Sequence, residues 1–206
     1  MAEFAPALFI FLILILFPFI NLFGYLCGVA TAQLIANQCA TAAAVSQTYP
    51  DALTATTDTA VQLTNSILGQ FGRLQPVGGY KGTGVDVYVA VTNIGSNITT
   101  IVGPNQPVPG PIDTTNNIYE YEAQVTYNVG PFISMAGLPI VGQLPMLGKP
   151  AQFIFAVQKA AEYPDGLVGN GIQQNGGSVG PPGGGMPAGP NPGSGTGQPA
   201  TAVQIQ

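Results

Sequence analysis

Glu120 and Glu122 stand two residues apart in an alternating stretch, so on a strand they share one face with their carboxylates about 7 Å apart. That spacing suits a bound cation or a glycosidase-type carboxyl pair. The sequence places no third ligand and no aromatic sugar platform beside them, and the simpler reading is the solvated face of a strand. No histidine occurs in the 206 residues, which removes the usual general base, the Ser-His-Asp arrangement and the commonest metal ligand. Asn97-Ile98-Thr99 matches a glycosylation sequon, relevant only in a compartment that glycosylates. The glycines near the C-terminus neither follow a strand nor open a helix, so they make no phosphate cradle. No enzyme motif survives, and no catalytic, metal or cofactor site is expected.

Charge excludes a further class. Four basic residues, Arg73, Lys81, Lys149 and Lys159, stand against nine acids, for a net charge of −5, which argues against a nucleic-acid partner. Cys27 and Cys39 lie twelve positions apart, roughly 18 Å along a helix, too far to bridge to each other there. They read as small apolar fillers, with pairing between chains as the alternative.

The element that must position everything else is the apolar run from Phe4 to about Val29, which holds no charged residue. As a helix it measures roughly 35–40 Å, enough to cross a hydrocarbon core of about 30 Å. A retained transmembrane helix is therefore expected, with membrane lipid as its first partner. A signal peptide is the competing reading, since Ala30-Thr31-Ala32 offers a cleavage pattern. The run is longer than a signal core, however, and its only charged neighbour is the acidic Glu3. No basic residue flanks the run, so the positive-inside rule gives no orientation. Pro18 is expected to kink the helix, and Asn21 places an amide within it.

Beyond Pro18, Gly24, Gly28, Ala32, Ala36, Ala40 and Ala44 recur at every fourth position and lay a row of small residues along one face. The row suits packing against another helix, with an Ala-rich stretch chosen for helix propensity as the alternative. Tyr49-Pro50-Asp51 reads as a stop followed by an N-cap, and a second, amphipathic helix is expected over about Ala52 to Gly72, with Ala60, Leu63, Ile67 and Phe71 on its apolar face. Strands are expected over Val85 to Thr92, Asn97 to Val102, Ile118 to Val129 and Gln152 to about Ala161. Gly130 to Pro150 is a loop rich in apolar residues, suited to cover the end of the sheet or to touch a membrane or partner. After Pro164, Gly and Pro dominate and disorder is expected. The fold class is α+β: a long N-terminal transmembrane helix continuing into a helical stem, a second helix packed on a small antiparallel sheet, and a disordered tail. The corresponding divisions are residues 1–50, 51–164 and 165–206.

The opening Glu3-Phe4-Ala5, Pro6 and the apolar run ending in Phe23-Gly24 resembles the start of the TadE-like pseudopilins of bacterial tight-adherence pilus systems. The second half is similar too: Val125-Thr126-Tyr127, a loop with Leu138-Pro139 and Leu144-Pro145, then Ala151 to Glu162 as a last strand before Pro164. The resemblance covers most of residues 3–164. It departs in having only Met1 and Ala2 before Glu3, where such families carry a basic leader and processing site, and in the early Pro6. Either a leader lies upstream, or no prepilin peptidase processes the chain. The resemblance implies a non-enzymatic, membrane-anchored subunit that assists pilus or secretion-filament assembly. Its domain would lie outside the cytoplasmic membrane, and its partners would be other pilin or pseudopilin subunits and the assembly machinery. It gives Glu3 the pilin-type role of offsetting a neighbour's N-terminal amine and so registering subunits, and it makes the small-residue row the face on which helices of the oligomer pack. From the residues alone, Glu3 is equally a helix N-terminal acid favoured by the dipole. An anchored adhesion or binding module without a filament role is the alternative function.

Overall fold

A computed structural model describes residues 4–134, 137 and 148–169. Glu3, most of the apolar loop and nearly all of the Gly/Pro tail lie outside the described residues.

One long helical rod opens the chain: α1 (Phe4–Phe11), a π-helical turn (Leu12–Leu16) and α2 (Phe17–Ala44). The expected disturbance at Pro18 takes the form of that π turn, in which the Phe17 N–H reaches back to the Leu12 carbonyl. A proline ring clashes with the carbonyl four residues earlier, and the wider turn just before it relieves the crowding. The rod ends at Ala44 because Thr48 restarts the chain as an N-cap for α3 (Tyr49–Thr64): its hydroxyl oxygen accepts from the Asp51 N–H at 3.3 Å. Pro50 then occupies the first helical turn, where a missing N–H does no harm. The cap is thus Thr48 rather than Asp51, and the helix begins three residues earlier than the sequence pattern suggested.

The second helix is also broken. Ser66 caps a separate short helix, α4 (Ile67–Phe71), by accepting from the Gly69 N–H at 3.2 Å. The break rotates the expected stripe: Ala60 is buried and Leu63 partly so, while Ile67 points outward at 86% exposure.

The sheet is antiparallel, with β4 (Asn117–Val129) at its centre. One edge of β4 pairs with β5 (Ala151–Ala160), from Glu120↔Ala160 to Val129↔Ala151. The other edge pairs with β2 (Val85–Asn93), from Val85↔Val125 to Asn93↔Asn117, and then with the short β1 (Leu74–Pro76) opposite Val129 to Tyr127. The β3 strand (Thr99–Val102) extends the sheet beyond β2. A three-residue strand containing proline leaves no periodic trace, which is why β1 was not anticipated.

On the inner face of the sheet, Tyr119, Tyr121, Ala123, Val125, Tyr127 and Val129 alternate into the core, as the pattern of β4 predicts. They meet α2 and α3 in two clusters. The lower gathers Ala32, Ile35, Ala36 and Cys39 against Leu74, Val125 and Val129. The upper gathers Ala43 and Tyr49 against Val87, Tyr121 and Leu167. Glu120, Glu122, Gln124, Thr126 and Asn128 form the opposite, partly solvated face.

Candidate functional site

By length and composition, one helix among the described residues, Phe17–Ala44, can cross a membrane. Its surroundings change abruptly along its length. Between residues 4 and 20 no described side chain is buried; Phe4, Phe9 and Phe19 are 73%, 63% and 68% exposed. At Asn21 exposure drops to zero. The Asn21 amide donates to the Ile133 carbonyl at 2.8 Å and its oxygen accepts from the Ile133 N–H at 2.6 Å. A polar side chain inside an apolar helix is thus matched at both ends by loop backbone, the condition for burying it.

From this point the small-residue row faces the chain's own domain. A Cβ on Gly24 would stand 3.2 Å from the Phe132 Cβ, and one on Gly28 would stand 2.5 Å from the Val129 Cγ1 and 3.0 Å from the Gly72 carbonyl oxygen. A Cβ on Gly72 would in turn collide with Gly28, so two glycines allow the α2 backbone to cross the end of α4. Ala32, Ala36 and Ala40 have no exposed surface, and Ala44 only 6%. The Ala44 carbonyl accepts the Glu162 N–H at 2.9 Å, which ties the exit of β5 to the top of the rod. The partners of the row are therefore α3, α4 and the sheet of the same chain, which already fill it. The boundary between exposed and enclosed helix lies near Asn21 rather than near Val29, because Phe71, Phe132 and Phe153 cover residues that hydropathy alone assigns to lipid.

Glu120 and Glu122 both stand on the partly solvated face of β4. Glu122 accepts from the Gln158 Nε2 at 2.6 Å across β4 and β5. Among the described residues no group of three His, Cys, Asp or Glu is placed to hold a metal ion. Both cysteines are free; Cys27 is half-buried and Cys39 is buried, with its thiol 3.5 Å from the Thr56 carbonyl. Sequence reasoning missed the tyrosine stack at the far end, where Tyr49 and Tyr121 lie at 6.2 Å with rings 17° apart. Burial pushes both phenols above their ordinary range, Tyr49 further through its neighbours Tyr121 and Tyr80. The Tyr49 hydroxyl is buried without a hydrogen-bond partner. Only the alternation of β4 hinted at this cluster, by placing Tyr121 on an inward position.

No protein-family model matches the chain, and no curated protein or solved structure matches it either.

Proposed function

We propose that the chain is a membrane-anchored, non-enzymatic, minor-pilin-like subunit of TadE-like character that assists assembly of a tight-adherence pilus or related secretion filament. The observation that carries this reading is the division of one helix into an exposed apolar half and a half built into an α+β domain. Residues 4–20 carry Phe, Leu and Ile around the helix, a surface suited to lipid and to like helices. The domain sits at the C-terminal end of that segment and lies, on the resemblance, on the extracytoplasmic side. Glu3, just ahead of the apolar run, then registers neighbouring subunits by offsetting an N-terminal amine. A pair of this kind in an apolar bundle costs on the order of 3–5 kcal/mol to break from one side.

The test is Glu3→Leu in the native host. Membrane fractionation is expected to be unchanged and pilus assembly to be lost; normal piliation of the variant refutes the filament role. One observation favours the second reading, an anchored adhesion or binding module: the small-residue row is already occupied by the chain's own α3 and sheet. In the filament reading, helix-to-helix contacts between subunits therefore fall to exposed faces of the rod, residues 4–20 among them, rather than to this row.

A further inference from the structure

We infer that the end of the domain nearest the anchor is itself a lipid-contacting surface, in which α4 and Phe132 form an apolar collar around the helix, set among anionic phospholipid headgroups. The inference rests on the anchoring reading above and adds a second membrane contact to it.

Continuity of the apolar surface gives the first argument. Gly69 of α4 packs inward, while Ile67 and Leu68 face out at 86% and 54% exposure. Phe71 lies between the rings of Phe23 at 5.9 Å and Phe132 at 4.9 Å, so α4, Phe132 and the apolar helix form one continuous apolar surface. A short helix that presents isoleucine and leucine outward beside an apolar rod matches an interfacial element.

Charge placement gives the second argument. Arg73 lies two residues beyond the end of α4 and shares a cleft with Gly130, Ser134 and Gly148; Lys149 precedes β5 at the same end. The acids stand further from the anchor among the described residues. Asp86 is opposite Gln124, Glu120 and Glu122 lie further along β4, and Asp51, Glu162 and Asp165 gather around the far turn. An otherwise acidic chain thus turns a basic end toward the bilayer, which suits anionic headgroups.

The chain contains no tryptophan, so single reporters are unambiguous. The full chain is reconstituted in phosphatidylcholine–phosphatidylglycerol vesicles whose acyl chains are brominated near the glycerol end. Leu68→Trp and, as a second placement, Ile67→Trp are compared with Ile94→Trp in the β2–β3 turn at the far end and with Phe9→Trp in the exposed helix. Quenching of the Leu68→Trp and Ile67→Trp proteins is expected to exceed that of Ile94→Trp by about twofold or more. Quenching of both no greater than that of Ile94→Trp, with Phe9→Trp quenched by deeply brominated lipid, overturns the collar and leaves the anchor standing. If Phe9→Trp also escapes quenching, the anchoring reading falls with it.

Discussion

The two halves of the N-terminal rod are both apolar and meet opposite surroundings. From Phe4 to Ile20 the side chains are mostly large and none of those described is buried; from Asn21 to Ala44 every fourth residue is Gly or Ala or lies beside one, and that face is enclosed. Hydropathy averages over the feature that separates them, side-chain size. Lipid conforms to any shape, so a surface that meets it needs no small residues, whereas a helix laid on a sheet needs them where backbones approach. Side-chain size along one face therefore tells where an apolar helix passes from solvent-like packing to protein packing.

Substitutions should break this contrast in graded steps. Gly28→Leu drives a side chain into Val129 and the Gly72 backbone and is expected to destabilise the domain by about 3 kcal/mol, read by denaturant unfolding in detergent. Asn21→Leu leaves the Ile133 N–H and carbonyl without their partner; about 2 kcal/mol should be lost in the same assay, although the helix becomes more apolar. Tyr49→Phe removes a hydroxyl buried without a partner and should raise stability by about 1 kcal/mol.

The tyrosine stack also sets an alkaline limit. Tyr49 and Tyr121 hold their protons more tightly in the folded state than the ordinary tyrosine value of about 10. Above that pH the unfolded chain binds fewer protons than the folded one, so stability is complete below about pH 10 and falls as pH rises through the raised values. In a pH series of melting temperatures, Tyr49→Phe should show a shallower alkaline decline than the parent. The smallest effect belongs to the exposed half: Phe9→Ala should leave domain unfolding within about 0.5 kcal/mol of the parent. An effect on unfolding as large as that of Gly28→Leu would erase the distinction between the halves.

Much of the fold was legible because its periods are clean. The alternation of Tyr119 to Val129 specified a half-buried central strand, and the row from Gly24 to Ala44 specified a closely approached helix face. The row did not say whose surface approaches it, since one chain's α3 and a neighbour's helix make the same demand on residue size. Nor did it show that the helix stem becomes a core element above Asn21, because Phe71, Phe132 and Phe153 reach it from distant parts of the chain. The break between α3 and α4 was hidden for a different reason. Leu63, Ile67 and Phe71 keep helical spacing straight through Asn65 and Ser66, and only the Ser66 cap reveals that the register restarts. Of the candidate site, composition gave the long apolar helix, while the packing of Phe71 and Phe132 beside it depends on tertiary contacts.

The rod is fastened to the domain at two well-separated points, Asn21 to Ile133 at one end and Ala44 to Glu162 at the other. Those fastenings lie about 35 Å apart along the axis. A rod pinned to its housing at two points cannot swivel independently of it. Torque applied to the exposed half is transmitted to the sheet, so the orientation of the domain reports the rotational setting of the apolar helix.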